Sequence, residues 1–143
     1  MNTKEIDSLK LENQLCFPLY SAAREVVKKY HPYLTEIELT YTQYITMMVM
    51  WEEKKISVKE LGKKLFLDSG TMTPVLKSLE QKSLVSRNRS EIDERSVIVS
   101  ITDKGEELRE SAKEIPFKVA GCMGLNGEEA LQLYKLLYKI LGK

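Results

Sequence analysis

The segment SVKELGKKLFLDSGTMTPVLKSLEQKSLVSRNRSEIDERSVIVSIT, residues 57–102, decides the fold. Its first four residues, Ser57-Val58-Lys59-Glu60, have the form of a capping box, in which the Ser57 hydroxyl accepts the third helical N–H and Glu60 reaches back. Val58, Leu61 and Leu65 follow at spacings of three and four, which is one face of a helix. Leu67-Asp68-Ser69-Gly70 breaks that period. Ser69 or Thr71 can then cap a second helix, with Pro74 tolerated in its first turn and Val75, Leu76 and Leu79 as its apolar side. That helix opens with the small hydroxylated residues Ser69, Thr71 and Thr73, and Lys77 lies one turn further on. A helix that reads DNA needs this polarity at its N-terminal end, where side chains face base edges and phosphates.

On the helices alone, a plain helical hairpin reads as well as a DNA-binding pair. The next residues separate the two. Leu84–Arg89 and Ser96–Ile101 are β-favouring runs, with polar and apolar residues largely alternating. Between them, Ser90–Arg95 is a charged hairpin tip. A strand pair straight after a candidate recognition helix makes a winged helix-turn-helix, with Arg87, Arg89 and Arg95 as candidate DNA contacts from the wing. An arginine on such a tip can enter the minor groove, where the negative potential is strong. Asp93, two residues before Arg95, can hold its guanidinium in place.

Charge supports this locally rather than globally. The 143 residues carry a net charge of only +1. Lys54 to Arg95 holds ten Lys and Arg against six Asp and Glu, whereas Glu106 to Glu129 holds six Glu against three basic residues. The asymmetry fits a basic DNA-facing lobe and a different face for other contacts. The first fourteen residues are polar with no apolar leader core, and no apolar run approaches the roughly 20 residues that span a bilayer. Two cysteines make no disulfide framework, so the expected compartment is cytoplasmic. Cys16, Cys122 and the one histidine, His31, are too scattered for a zinc site, and no phosphate loop or nucleophile elbow occurs. The sequence therefore implies no metal, no cofactor and no catalytic constellation.

The remaining chain reads as helical scaffold. Leu15, Leu19, Ala22, Val26 and Tyr30 form one stripe of a first helix, beside Cys16, Tyr20, Ala23 and Val27; His31-Pro32 reads as its end. Thr40-Tyr41-Thr42-Gln43 is a second capping box, opening a helix with Tyr44, Met47, Met48 and Trp51, the methionines being core filler. Thr102-Asp103-Lys104-Gly105 starts a helix with Leu108, Ala112, Ile115 and Val119, which Pro116 should bend or break. A turn at Gly121–Gly124 precedes a last helix, capped from Asn126 and carrying Leu133, Tyr134, Leu137, Ile140 and Leu141. One domain, 1–143, is expected: mainly α with a small β wing, a winged helix-turn-helix over 40–102, and terminal helices near 9–30 and 106–141. The terminal helices carry more apolar face than a winged helix can bury. A homodimer joined through both ends of the chain would absorb it and would carry two recognition helices to half-sites one DNA turn apart.

Cys16 sits in an apolar, aromatic helix where a free thiol is ordinarily a small buried hydrophobe. Tyr20 is one turn away on the same face. Tyr30 is fourteen residues on, roughly 21 Å along a helix, and can meet only a partner chain's Cys16, if the two N-terminal helices cross antiparallel. Phenol hydroxyls beside sulfur favour the reactive thiolate.

Nearly the whole chain resembles the MarR family of transcriptional regulators, and within it the organic-hydroperoxide-sensing repressors. The resemblance is carried by Leu11-Glu12-Asn13-Gln14-Leu15-Cys16-Phe17, Leu39-Thr40-Tyr41, Leu67-Asp68-Ser69-Gly70-Thr71, Thr73-Pro74, Leu76-Lys77 and Asp93-Glu94-Arg95. It implies a homodimer that represses by occupying a palindromic operator in double-stranded DNA, with an organic hydroperoxide as effector. Cys16 would be the reactive thiol, hydrogen-bonded by Tyr30 and Tyr41 of the partner chain with Tyr20 nearby. Arg95 would be the minor-groove residue and Asp93 its orienting partner. Some members of the family resolve the oxidised thiol with a distal cysteine, a role open to Cys122; others use a small-molecule thiol. Related members respond to general oxidants instead.

Pro18 departs from the family pattern. It should kink the first helix or move its start, and a start at Pro18 would leave Cys16 just before a helix N-terminus. Two further readings stand beside the regulator that senses through Cys16. A thiol peroxidase would leave the wing and recognition helix unexplained. A regulator bound by an aromatic ligand between its helices would leave Cys16 inert.

Overall fold

A computed structural model describes residues 7–143 of the protein. The first six positions, part of the expected 1–143 domain and of the stretch expected to lack a leader core, lie outside the described residues. Seven α-helices and a three-stranded antiparallel sheet follow a short 3-10 turn at Leu11–Asn13. In chain order they are α1 (Cys16–Glu36), α2 (Tyr41–Glu53), β1 (Lys55–Ser57), α3 (Val58–Leu65), α4 (Ser69–Gln81), β2 (Val85–Arg89), β3 (Val97–Ile101), α5 (Asp103–Ala112), α6 (Ile115–Ala120) and α7 (Gly127–Ile140). No described helix is long and apolar enough to cross a membrane.

The winged helix-turn-helix is built as the sequence implies, with α3 and α4 as the helix pair and β2–β3 as the wing. Several caps are made by the expected residues. Thr40 and Gln43 form a full capping box on α2, Thr102 caps α5, and Asn126 and Glu129 form a full box on α7. At α3 only half of the expected box forms. Ser57 accepts the Glu60 N–H at 3.1 Å, but the Glu60 carboxylate turns to Lys63 at 3.4 Å instead. At α4 neither expected hydroxyl caps. Asp68 does, accepting the Thr71 N–H at 2.7 Å, so the helix begins at Ser69 and Pro74 falls in its second turn.

Two expectations about α1 are corrected. The helix does not end at His31-Pro32 but runs to Glu36 through Pro32. One lost backbone hydrogen bond is outweighed because the helix beyond it buries Leu34 in the core and packs Tyr33 and Ile37 against it. Pro18 does not begin the helix, but the start is moved as one alternative had it: the expected helix near 9–30 starts at Cys16, after a 3-10 turn at Leu11–Asn13. Pro18 therefore occupies the first turn, where its missing N–H has no intrahelical partner to lose. Pro116 acts as expected: α5 stops at Ala112 and Pro116 opens α6.

The strand β1 was not foreseen. Three residues carry too little alternation to read, and β1 exists because β3 offers it an edge. The order is β1-β3-β2, with Lys55 opposite Ser100 and Val85 opposite Ile101. The core lies where α2, α3, α4 and α5 meet the base of this sheet, around Met47, Met50, Leu61, Met72, Leu76, Leu79 and Val99. The methionine expectation holds for Met47; Met48 is 44% exposed.

One backbone crossing locks the sheet to the C-terminal helices. The Trp51 indole N–H donates to the Gly105 carbonyl at 2.8 Å, and the Thr102 hydroxyl donates to the Ser83 carbonyl at 2.6 Å. At Gly105 a Cβ would collide with the Leu84 carbonyl and sit 2.8 Å from Ile101 Cγ1. Gly105→Ala should therefore destabilise the chain by about 1–3 kcal/mol, because the obstacle is backbone that cannot rotate away. Thermal melting checks this; an unchanged melting temperature would contradict the packing described.

Candidate nucleic-acid interface and thiol site

The expected recognition residues lie on the solvent side of α4, opposite its buried stripe. Ser69, Thr71, Thr73 and Lys77 are all exposed. Thr73 donates its hydroxyl to the Ser69 carbonyl at 2.9 Å, a local bond that holds the first turn. The Thr71 N–H is taken by Asp68, and that bond holds the Asp68 carboxyl below its ordinary range. The cap thus stays charged, as a helix N-terminus favours.

A groove of about 290 Å³ separates α4 from the hairpin. Ser69 and Thr73 line it from α4, Arg87 and Arg95 from the wing, and Lys59 from the start of α3. Three cations and several hydroxyls line this groove and no carboxylate does. Arg89 is not part of it. Its guanidinium donates to the Glu94 carbonyl at 3.1 Å and borders the opposite face of the hairpin.

The wing tip corrects one expectation. Asp93 does not hold the Arg95 guanidinium. Its carboxylate accepts the Arg95 backbone N–H at 3.0 Å and the Ser96 hydroxyl at 3.5 Å. A carboxylate two residues back closes an Asx-type turn more readily than it reaches along a side chain. Asp93 therefore shapes the turn and leaves the Arg95 guanidinium directed at the groove.

The thiol residues fall into two separate groups. Cys16 is the first residue of α1 and is exposed. Tyr20, a turn later, is 60% exposed with the Arg24 guanidinium 5.5 Å from its ring centre. At the far end of α1, Tyr30 packs with Tyr41 and Tyr44 of α2, the ring centres 5.0 and 5.6 Å from that of Tyr30. Burial raises all three phenols above their ordinary range, Tyr44 to about 12. They are protonated near neutral pH and available as hydrogen-bond donors. Within one chain the structure brings Tyr30 and Tyr41 together but brings neither to Cys16. Cys122 is exposed in the turn after α6, beside the exposed apolar residues Met123 and Leu125.

Comparison with known proteins places this geometry. Residues 28–112 match the family described as transcriptional regulator SarA/Rot. The chain is 47% identical over 137 residues to the organic hydroperoxide resistance transcriptional regulator of Bacillus subtilis, covering 96% of this chain and 93% of that one. It superposes on reduced AbfR of Staphylococcus epidermidis bound to DNA with a TM-score of 0.78, at 34% identity and 92% coverage of each chain. The disulfide form of AbfR fits less closely, with a TM-score of 0.66 at 32% identity and 92% coverage of each.

The chain is a MarR-family transcriptional regulator.

The family and these relatives are transcriptional regulators, which sets aside the thiol-peroxidase alternative. In MarR-family terms α4 is the recognition helix and the β2–β3 hairpin is the wing. Three residues of the interface went unread in the sequence. Asp68 caps the recognition helix, and its position one residue before Ser69 was the available signal. Lys59 joins the groove from another helix, and Glu80 pairs with Arg87 across seven residues. Nothing in the local sequence signals either contact.

The tyrosine cluster makes a pH-dependent prediction. Tyr44 releases its proton near 10 in the unfolded chain and near 12 in the folded one. Its stabilising contribution is intact below pH 10 and is lost as pH rises towards 12. Stability should fall over that window by on the order of 2 kcal/mol, and Tyr44→Phe should flatten the decline. Denaturant unfolding at graded alkaline pH measures it; identical slopes for both proteins would contradict the burial of this phenol.

Proposed function

We propose that this MarR-family regulator is a cytoplasmic homodimeric repressor that occupies a palindromic operator and releases it when an organic hydroperoxide oxidises Cys16. The division of the thiol site carries this reading. Cys16 and Tyr20 lie at one end of α1 and the Tyr30–Tyr41 pair lies toward the other, so only a second chain, crossing antiparallel, can close the site. The apolar surface supports that dimer, with α1 and α6–α7 as its interface. Leu15, Phe117, Tyr134 and Ile140 are each between 59% and 81% exposed, and α7 buries none of its residues within the chain. A monomer rarely leaves such a surface in water.

In the closed site, hydroxyls of the partner's Tyr30 and Tyr41 donate to the Cys16 sulfur and favour the thiolate. The thiolate attacks one peroxide oxygen; an S–O bond forms, the O–O bond breaks and the alcohol leaves, giving a sulfenic acid. Leu15, Phe17 and Leu19 surround the thiol with apolar surface, which favours an alkyl hydroperoxide over hydrogen peroxide. The new oxygen, or a later adduct, displaces Tyr20 and the partner's tyrosines, and the two recognition helices change their spacing. The Cys122 thiol of the partner then attacks the sulfenic sulfur, releasing water and forming a disulfide between subunits. The closer fit to reduced, DNA-bound AbfR than to its disulfide form supports reading the present conformation as the reduced one.

A second reading, an aromatic ligand as effector with Cys16 inert, is favoured by a crevice of about 390 Å³ between α2 and α5–α6. Tyr44, Met48 and Trp51 line it together with Glu52, Arg109 and Lys113.

One experiment separates the two readings. A duplex selected by the wild-type protein from a random library is bound, then treated with an organic hydroperoxide. Wild type should dissociate and Cys16→Ser should stay bound; equal release of both would move the sensor elsewhere. Release of both proteins by salicylate alone would instead support the aromatic effector. On non-reducing gels, oxidised wild type should run as a covalent dimer that Cys122→Ser abolishes. A dimer band that survives in Cys122→Ser would remove Cys122 from the mechanism.

A further inference from the structure

The groove between α4 and the wing has one negative charge set behind it, and a positive DNA-facing surface gives no general reason for that charge. Glu80 lies in the last turn of α4. One of its carboxylate oxygens accepts the Arg87 backbone N–H at 2.9 Å, and the other accepts the Arg87 guanidinium at 3.3 Å. The pair thus joins the end of the recognition helix to the first wing strand and fixes the direction of the Arg87 side chain. A guanidinium has five N–H groups, and Glu80 takes one. The Nε N–H is buried with no acceptor among the described residues. The chain therefore supplies this arginine with fewer acceptors than its burial requires. Arg87 faces a groove whose other cations, Lys59 and Arg95, lie on two further elements, with the Ser69 and Thr73 hydroxyls between them.

We propose that this groove seats a backbone phosphate of double-stranded DNA, and that Glu80 is a positioning residue that presents Arg87 to it. The inference rests on the DNA-binding reading above and adds to it the ligand group, the lysine from α3 and the role of the carboxylate. The chemistry fits. Arginine recognises phosphate through a planar fork whose geometry must be held, and an unheld long side chain loses rotamer freedom on binding. Arg87 from β2 and Lys59 from α3 suit one compact anion better than they suit a base edge, and Arg95 at the wing tip stays the residue for the minor groove.

The proposal predicts an effect opposite in sign to simple charge counting. Removing a carboxylate near DNA should tighten binding if Glu80 acts only as a charge, because phosphate repulsion is relieved. If Glu80 positions Arg87, Glu80→Gln should weaken binding to the selected duplex by about tenfold, the loss of one charge-assisted hydrogen bond. Binding to an unselected duplex of the same length should weaken as well, since a backbone-phosphate contact carries no sequence information. Arg87→Lys keeps the charge and loses the fork. It should weaken the selected duplex similarly while leaving the salt dependence as in wild type. The double variant should be no weaker than Arg87→Lys alone, because both substitutions remove one arrangement. Melting curves accompany each variant, and if Glu80→Gln does not fold, Arg87→Lys alone decides. Equal or tighter binding of the selected duplex by Glu80→Gln, or wild-type binding by Arg87→Lys, would overturn the proposal. Failure of wild type to select any duplex would instead overturn the DNA-binding reading on which it rests.

Discussion

The inward stripe of the recognition helix is the constraint on which the rest of the interface depends. Met72, Leu76 and Leu79 are completely buried at spacings of four and three, against a core that includes Met47, Met50, Leu61 and Val99. Burying a side chain of this size stabilises by about 1.5–3 kcal/mol, whereas an exposed ion pair contributes about 0–1 kcal/mol. Burial therefore sets the rotation of α4 about its axis. Ser69, Thr73 and Lys77 face outward because the opposite stripe cannot. The Glu80–Arg87 pair is too weak to orient a helix, and its effect is confined to aiming one side chain.

The far end of α4 is tethered by polar atoms rather than by apolar area. Gln43 is 7% exposed, and both ends of its amide are bonded: the nitrogen donates to the Ser78 hydroxyl, and the oxygen accepts from the Thr40 N–H and the Lys82 ammonium. Lys82 also donates to the Glu38 carbonyl at the corner between α1 and α2. The same turn of α2 carries Tyr41 and Tyr44 towards the aromatic cluster. One turn of helix thus touches both the phenols assigned to the thiol site and the helix that faces DNA. The Gln43–Ser78 hydrogen bond at 2.9 Å ties that turn of α2 to α4.

The terminal helices have the opposite character. α7 is well capped at Asn126 and strongly two-sided, yet buries nothing in its own chain. The rings of its Tyr134 and Tyr138 meet at a tilt of 51°, their centres 4.6 Å apart, with Tyr134 mostly exposed. Local sequence is enough to make this helix, and tertiary contact within the chain does not explain its apolar side.

What the sequence determined by itself were features enforced over a few residues. The Thr40–Gln43 and Asn126–Glu129 caps, the helix break at Pro116, the helix pair and the alternating strands of the wing were all legible, because each is set by neighbours within one turn or one strand. Only the tertiary structure decided what depended on distant contacts. Helix α1 passes Pro32 because Leu34 has a core to enter. β1 exists because β3 has a free edge. Asp93 folds back on the turn instead of holding Arg95. Glu80 meets Arg87, and Lys59 joins the groove, because burial of the α4 stripe brings three separate elements to one place, and no local spacing encodes that meeting.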